Sequence, residues 1–201
     1  MGKIISIRIR KVLGRCISGE QFGFMPGRQI HDAVEVIQEG MHTMHNKCLK
    51  AVMIKIDLSK AYYRVSWTYL QVILSKMGLA GNFNSWVMSS LSSVSFSLLI
   101  NGVATTLFKS GGGLRQGCPL PPLLFLIVVE GLGRALLFAK DCGTYHGLSF
   151  GNDIVLTHVL FVDDIVMVND GSEQSLSTLY EILMIFCKAS GMKINDDKSS
   201  L

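Results

Sequence analysis

Apolar residues recur every three or four positions along several stretches of the chain, and this spacing predicts amphipathic helices. In residues 173–190 they form one continuous stripe, and Gly191 follows as a helix-ending residue. We expect Asp170 and Glu173 to cap the start of this helix. Helices are also predicted over residues 3–17, 30–45, 61–65, 67–77, 84–92 and 123–139. For residues 3–17 the β-branched content leaves a strand as the alternative.

Apolar and β-branched runs between turn residues predict strands. Residues 50–58 form a nearly continuous apolar run, which needs cover on both faces. Residues 95–109 predict a hairpin that turns at Asn101-Gly102, residues 147–155 a short strand and turn, and residues 159–168 two strands that meet at a tight turn. Strands and helices mix without strict alternation, so the pattern predicts an α+β fold with helices packed on one face of a largely antiparallel sheet.

Two adjacent carboxylates, Asp163 and Asp164, interrupt the apolar residues 159–168. Neighbouring acids in such a run repel one another and lose hydration on burial. Both effects are unfavourable unless a cation lies beside the acids. Asp57 ends another apolar strand and would join them if the two strands are sheet neighbours. Carboxylates without histidine or cysteine favour Mg²⁺ or Mn²⁺, and a pair of such ions supports phosphoryl and nucleotidyl transfer. The alternative is a solvated Asp-Asp turn in an ordinary hairpin.

A loop rich in glycine and proline covers residues 110–122 and contains Arg115 and Gln116. Glycines allow the backbone to approach a nucleotide or a nucleic-acid strand closely. No Gly-Lys-Ser/Thr sequence follows, so this is not a Walker loop.

Composition fits one domain with a substantial core, since the chain has 201 residues of which 49% are hydrophobic. The formal net charge is only +4, but the charge is unevenly distributed, because several cations and no acid occur before Glu20. These are Lys3, Arg8, Arg10, Lys11 and Arg15. Such a segment either faces phosphates or is the solvated face of a helix, and the sequence leaves both open.

Five scattered cysteines indicate neither a disulfide framework nor a zinc ribbon. The longest apolar run, 123–129, is too short to span a bilayer.

Four segments occur in the order of the successive palm motifs of reverse transcriptases. They are KIDLSKAYYRVSW (55–67), GLRQGCPLPPLLFLIVVE (113–130), LFVDDIVM (160–167) and SGMKINDDKS (190–199). A fifth, QFGFMPGRQIHDAV (21–34), resembles the fingers-to-palm segment just upstream. The set is most similar to non-LTR (LINE-type) retrotransposons, especially plant ones. Five motifs in the right order outweigh the solvated-turn alternative.

The resemblance implies a role for each residue at a matching position. Asp57 and Asp163 would bind metal together with the carbonyl of Leu58, and Asp164 would complete the acidic triad. Tyr62 matches the aromatic residue that lies under the incoming sugar and disfavours a 2′-hydroxyl; its alternative role is that of a core aromatic.

Other matches concern the nucleotide and the template. Gln116 and Gly117, with the adjacent Arg115, would line the nucleotide and template pocket. Lys198 matches a late-palm lysine suggested to protonate pyrophosphate, and Arg28 is expected to help hold the triphosphate. Both cations have the alternative of being ordinary surface charges.

Three positions depart from the family pattern. Tyr63 stands where the family usually has aspartate, Cys118 where aspartate is frequent, and Pro121 where serine is usual. Tyr63 removes a carboxylate near the site without removing a metal ligand, and Pro121 beside Pro122 stiffens the entry to the next helix.

The resemblance implies a right-hand polymerase palm over residues 51–201 and a fingers-to-palm junction over residues 1–50, with incomplete fingers and no thumb. It implies a Mg²⁺- or Mn²⁺-dependent RNA-directed DNA polymerase that adds deoxynucleotides from their triphosphates to a DNA primer on an RNA template, without a membrane partner. We expect an intracellular protein, because the scattered cysteines fit a reduced compartment and no targeting signal is evident; nucleus or cytoplasm is implied by the resemblance alone. The alternative is a non-enzymatic remnant of a decayed retroelement, inert or RNA-binding, and we expect the isolated chain to polymerise poorly or not at all.

Overall fold

A computed structural model describes residues 2–79, 81–150 and 154–200 of the chain. The helices are α1 (Gly2–Cys16), α2 (Ile30–Asn46), α3 (Ala61–Arg64), α4 (Trp67–Lys76), α5 (Asn82–Ser92), α6 (Pro121–Asp141) and α7 (Glu173–Ser190). The strands are β1 (Val52–Asp57), β2 (Ser95–Phe96), β3 (Leu99–Ile100), β4 (Val103–Ala104), β5 (Phe108–Lys109), β6 (Leu148–Phe150), β7 (Ile154–Leu156), β8 (His158–Phe161) and β9 (Asp164–Asn169). The α+β class and the predicted elements are confirmed, while the predicted turn after β6 falls partly on residues 151–153, outside the described residues.

The central sheet is antiparallel and has the strand order β1-β9-β8. Phe161 pairs with Asp164, so β8 and β9 are joined by a two-residue turn, Val162-Asp163. Asp164 is therefore the first residue of β9, where it lies opposite Asp57 of β1.

Irregular segments pair with both outer strands of this sheet. Gln21 bridges Leu160 of β8, and the residues on either side of Gln21 supply the two backbone hydrogen bonds. On the other edge, Ser200 and Ile194 bridge Lys55 and Leu58. Both edges are thereby protected from pairing with another chain.

Helix α6 forms the centre of the larger core. Its residues 123–129 are all at most 1% exposed, because α4 and α7 pack on it and the sheet contributes Ile56, Ile165 and Met167 to the same core. By length and composition α6 could also cross a membrane, but 67% of its apolar window is buried inside the protein, as expected of a core helix.

In the described part of the chain, the apolar cluster on the second face of the sheet covers one end of that face. Helix α2 places Ala33 against Val159 and Val168 there. Side chains alternate between the two faces of a strand, so Asp57 and Asp164 lie on this second face, at the opposite end. The acidic end of the face is thus left accessible.

The 95–109 segment is the predicted hairpin. β2 pairs with β5 and β3 with β4, and the turn is Asn101-Gly102. Both turn residues have positive φ, 48° and 83°, which is the geometry of a type I′ turn and explains the Asn-Gly pair.

The prediction that Asp170 and Glu173 cap α7 is wrong. Ser172 is the N-cap, and its hydroxyl accepts a hydrogen bond from the Ser175 amide. Asp170 instead accepts hydrogen bonds from the amide and hydroxyl of Ser172. Partial burial raises the pKa of Asp170, but these hydrogen bonds and the neighbouring His146 outweigh it and lower the pKa below its usual value.

Helix α1 packs Ile5, Ile9 and Leu13 into the core. Its cations all lie on the exposed side: Lys3, Arg8, Arg10, Lys11 and Arg15. The segment is therefore the solvated face of a helix, and that face remains available to a phosphate.

Candidate active site

Asp57 and Asp164 meet at the end of the β1–β9 pair. They are direct cross-strand partners, so their side chains project from the same face of the sheet. Lys55 lies on that face two residues earlier, and its Nζ is 3.7 Å from Asp164 Oδ1. The two side chains are 54% and 60% exposed, so solvent weakens this ion pair. One cation partly offsets the repulsion between the two acids.

Asp163 occupies the adjacent β8–β9 turn and is exposed. Tyr62, at the start of α3, is close enough to be affected by its charge. Burial raises the pKa of the Tyr62 hydroxyl to about 12, and the negative charge of Asp163 adds to the increase. The structure thus brings Asp57, Asp163, Asp164 and Tyr62 into one region, as the sequence predicts.

Asp57 is fixed by the segment that follows α7. Asn195 Nδ2 donates to Asp57 Oδ2 at 3.1 Å, and the Asp57 amide donates to the Ser199 hydroxyl at 3.2 Å. The Asn195 amide also donates to the Asp57 carbonyl at 2.9 Å. Sequence reasoning gave no role to Asn195 or Ser199, although both lie in the last of the recognised motifs.

The hydrogen bonds on either side of Leu58 indicate which way its carbonyl points. Hydrogen bonds around the Leu58–Ile194 bridge come from the flanking residues, Asn195 to Asp57 and Ser59 to Lys193. Successive carbonyls of an extended chain point to opposite sides, so the Leu58 carbonyl faces the β9 side. This direction fits its predicted role as an oxygen ligand.

The donor set suits a hard divalent cation. Asp57, Asp164, Asp163 and the Leu58 carbonyl offer only oxygen, the ligand type that Mg²⁺ and Mn²⁺ prefer. Among the described residues, no three or more His, Cys, Asp or Glu side chains are arranged to hold a metal ion by themselves. Mg²⁺ usually binds through one or two carboxylates and completes its shell with water and substrate phosphates, so the residues fit this mode.

The glycine-rich loop packs behind the same region. Gly113 donates its amide to the Val65 carbonyl and accepts from Trp67 Nε1 at 2.8 Å. Its φ of +78° is strained for other residues, and a Cβ there would lie 2.7 Å from the Tyr63 carbonyl. Gly113 therefore lets the loop approach α3 closely.

Arg115, Gln116 and Gly117 are exposed where the loop passes α3. A cavity of about 620 Å³ opens between this loop, Trp67 and the base of the β2–β5 hairpin, and Arg115 and Gln116 line it. Two of the predicted nucleotide- and template-binding residues, Arg115 and Gln116, thus border an accessible groove.

The two remaining predicted cations lie in different surroundings. Lys198 is exposed, and its amide donates to the carbonyl of Asn195, the residue three positions earlier that holds Asp57. Arg28 uses Nη1 to donate to the Ser18 and Gln21 carbonyls of its own loop. The structure therefore shows a loop-bracing contact for Arg28, and its role toward a triphosphate stays a prediction.

Tyr63 and Pro121, two of the departures from the family pattern, have clear structural consequences. The Tyr63 hydroxyl donates to Gln116 Oε1 at 3.1 Å, so this side chain tethers a predicted nucleotide-binding residue. Pro121 is the first residue of α6, a position where the missing amide donor causes no loss. Cys118 is exposed.

Residues 1–201 match the family model described as reverse transcriptase (RNA-dependent DNA polymerase). The chain belongs to the reverse transcriptase family. It is 28% identical over 200 residues to the transposon TX1 uncharacterized 149 kDa protein of Xenopus laevis, covering 100% of this chain and 15% of that protein. It is 26% identical over 178 residues to the Pol polyprotein of the type-2 retrotransposable element R2DM of Drosophila melanogaster, covering 89% of this chain and 16% of that protein. The retroelement relationship expected from the motifs, to non-LTR retrotransposon polyproteins, is confirmed.

Solved telomerases share the fold. Apo telomerase from Candida tropicalis, truncated from the C-terminal domain, aligns with a TM-score of 0.68 and 13% identity over 99% of this chain and 39% of that one. Telomerase from Candida albicans, in complex with the TWJ fragment of telomeric RNA, aligns with a TM-score of 0.68 and 15% identity. That alignment covers 99% of this chain and 34% of the telomerase chain. The polymerase palm fold is therefore confirmed, and the chain spans a small part of the length of its relatives.

Proposed function

We propose that this chain is the catalytic palm of an RNA-directed DNA polymerase, which adds deoxynucleotides to the 3′-hydroxyl of a DNA primer paired with an RNA template. The observation that carries the proposal is the pairing of Asp57 with Asp164 across β1 and β9, with Asp163 in the adjoining turn. Asp57 and Asp164 lie at the open end of the sheet face, and Asp163 in the adjoining turn is exposed, so a primer terminus would have access to these acids.

In the proposed reaction the primer 3′-oxygen forms a bond to the α-phosphorus of the incoming triphosphate. The bond from that phosphorus to the bridging oxygen breaks, the hydroxyl proton leaves, and pyrophosphate is released. Bound Mg²⁺ or Mn²⁺ would lower the pKa of the attacking hydroxyl and neutralise charge on the leaving phosphates. Asp57, Asp163 and the Leu58 carbonyl would hold the ions, and Asp164 would complete the acidic site.

Other residues would bind and orient the substrates. Tyr62 is half-buried and would support the sugar of the incoming nucleotide. The exposed Arg115, Gln116 and Gly117 would contact nucleotide and template. Lys198 would give its proton to pyrophosphate, and Arg28 would assist in holding the triphosphate through donors that its own loop leaves unused. The nucleus or cytoplasm, where these substrates occur, is the proposed location.

Primer extension tests this proposal. The parent chain and the Asp163→Asn variant are compared on an RNA template with deoxynucleotides and Mg²⁺ or Mn²⁺, with circular dichroism showing that both are folded. Asp197→Asn is a matched control, because Asp197 is an exposed acid on the nearby C-terminal segment. We expect the isolated parent to extend the primer weakly at most, the control to retain that extension, and Asp163→Asn to lose at least about 100-fold of it.

Titration with Mn²⁺ provides a second measurement that does not depend on turnover. We expect the parent to bind Mn²⁺ more tightly than Asp163→Asn does. A folded parent that neither binds Mn²⁺ nor extends a primer would contradict the proposal and favour the decayed, non-enzymatic remnant.

A further inference from the structure

The Gln21 side chain is buried against the turn that carries Asp163. Gln21 is 0% exposed and lies in the loop between α1 and α2. Its Oε1 accepts a hydrogen bond from the Gly23 amide at 2.9 Å and another from the Val162 amide at 3.3 Å. One side-chain oxygen therefore joins a remote loop to the residue directly before Asp163.

Val162 needs such support because its backbone is strained. It is the first residue of the two-residue turn and has a φ of +60°. A β-branched residue in this left-handed region is unusual and persists only where surrounding contacts hold it. If Val162 returned to negative φ, the direction of the chain at Asp163 would change.

The loop that carries Gln21 is itself firmly anchored. Arg28 Nη1 donates to the Gln21 carbonyl, and the backbone beside Gln21 pairs with Leu160 of β8. Gly23 allows the close approach, because a Cβ there would lie 2.5 Å from Val162 Cγ2 and 2.8 Å from the Val162 nitrogen. The contact between Gln21 and Val162 thus depends both on the anchoring of the Gln21 loop and on the close approach that Gly23 allows.

Stability alone gives a poor reason for an amide at this position. Gln21 Nε2 is buried and has no hydrogen-bond partner among the residues that the structure describes. A buried donor left unsatisfied is unfavourable, and an apolar side chain of similar shape would avoid this loss. The oxygen that holds Val162 is what the amide supplies and an apolar residue lacks.

We propose that Gln21 is a positioning residue, which holds the Val162-Asp163 turn in its left-handed conformation and so fixes where Asp163 lies. The catalytic part of this inference rests on the proposed polymerase function; the part concerning the turn rests on the hydrogen bond and the backbone angle.

The experiment compares Gln21→Met, which removes the acceptor at similar size, with Gln21→Glu, which keeps an oxygen in place and is favoured in its neutral form by burial. Ser18→Ala is the control, because it removes a hydrogen bond of the same loop, from the Ser18 hydroxyl to Glu130, away from the turn. Nuclear magnetic resonance of the labelled chain measures hydrogen exchange of the Val162 amide and its HN–Hα coupling, which reports φ.

In Gln21→Met we expect the Val162 amide to exchange about tenfold faster, with a changed coupling and a melting temperature close to that of the parent. Gln21→Glu and Ser18→Ala should retain the parent values at Val162. Unchanged exchange and coupling at Val162 in folded Gln21→Met would overturn the proposal.

Primer extension then tests the catalytic consequence in a parent that is active. Displacing a catalytic carboxylate lowers kcat, so Gln21→Met should lose about tenfold or more in kcat with little change in the KM for the deoxynucleotide. An altered turn with unchanged kcat would overturn the positioning role. A parent that neither extends a primer nor binds Mn²⁺ would count against the proposed function, while the resonance measurement would still decide whether Gln21 holds the turn.

Discussion

The ring of Tyr62 stacks on the ring of Phe125, with centroids 4.5 Å apart and planes 7° from parallel. Phe125 is completely buried in α6, whereas Tyr62 is only half-buried beside Asp163. The core helix therefore sets the position of the one aromatic side chain that we assign to sugar recognition.

Phe125→Leu should loosen Tyr62 and weaken discrimination against ribonucleotides. Removing part of a buried aromatic side chain should also destabilise the fold by about 1–3 kcal/mol. The measurement is the ratio of kcat/KM for deoxynucleotides and ribonucleotides in primer extension, and we expect Tyr62→Ala to lower that ratio further. Phe186→Leu is the control, since Phe186 packs edge-on against Tyr69 in the same core. An equal loss of discrimination in the control would show that general destabilisation is the cause.

Tyr63→Phe should release Gln116. The hydrogen bond from the Tyr63 hydroxyl to Gln116 Oε1 joins two exposed side chains, so its loss should change the free energy of unfolding by less than about 0.5 kcal/mol. Gln116 would then be free to bind substrate, and we expect the KM for the deoxynucleotide to fall a few-fold while kcat stays the same. A rise in KM would mean that the tether preorganises Gln116 and would contradict this expectation.

Stability should decrease as the pH falls from 7 to 5, because of His158. This ring is fully buried, with Nδ1 2.9 Å from the Thr157 hydroxyl. Burial is the main reason why the pKa of His158 is lowered from 6.5 to about 4. The charge of Glu20 raises this pKa, and the charge of Lys140 lowers it further. His158 therefore becomes protonated near pH 6.5 in the unfolded chain but only near pH 4 in the folded chain. The stability that this difference provides is fully present above pH 6.5 and is lost as the pH falls toward 4.

Urea unfolding at the two pH values measures this effect. We expect the free energy of unfolding to fall by ~2 kcal/mol in the parent and by much less in His158→Gln. His31→Gln is the control, because His31 is exposed. Asp170, whose pKa is lowered, contributes only at more acidic pH, since its stabilisation is lost as the pH falls below about 4. A parent with equal stability at pH 7 and pH 5 would contradict the prediction.

Arg134→Leu should destabilise the chain by about 3 kcal/mol, because it leaves a buried carboxylate without its cation. Glu130 is 0% exposed and accepts hydrogen bonds from Arg134 Nε at 2.7 Å and from the Ser18 amide. Arg134 Nη2 also donates to the Cys16 carbonyl at the end of α1. Thermal unfolding measures the loss, and Glu39→Gln, at an exposed acid of α2, should leave stability unchanged. A change below about 1 kcal/mol would show that Ser18 alone satisfies Glu130.

Local patterns in the sequence were sufficient to predict the secondary structure. The Asn101-Gly102 turn and the helix α7 follow from short-range features, and each was confirmed, although Leu176 and Tyr180 of the α7 stripe are exposed. Asp170 shows the limit of such reasoning. An acid near a helix start suggests a cap, but Ser172, directly before the helix, is better placed, and its hydroxyl accepts the hydrogen bond from the Ser175 amide.

Contacts between distant segments were beyond the reach of the pattern. Glu130 lies in an apolar run with nothing beside it in sequence to indicate that Ser18, 112 residues away, would bind it. Gln21 and Val162 are 141 residues apart, and the contact between Asn195 and Asp57 spans 138 residues. The motifs showed that these segments belong to one site but gave no distances within it.

The sequence by itself determined the elements, the polymerase family and the identities of the three acids, because periodicity, turn chemistry and motif order are properties of neighbouring residues. Only the tertiary structure decided that Asp57 faces Asp164 across the sheet, that Asn195 holds Asp57, and that Gln21 supports the turn before Asp163. These relationships depend on strand register and on the packing of loops against strand edges, and both arise only when the chain closes on itself.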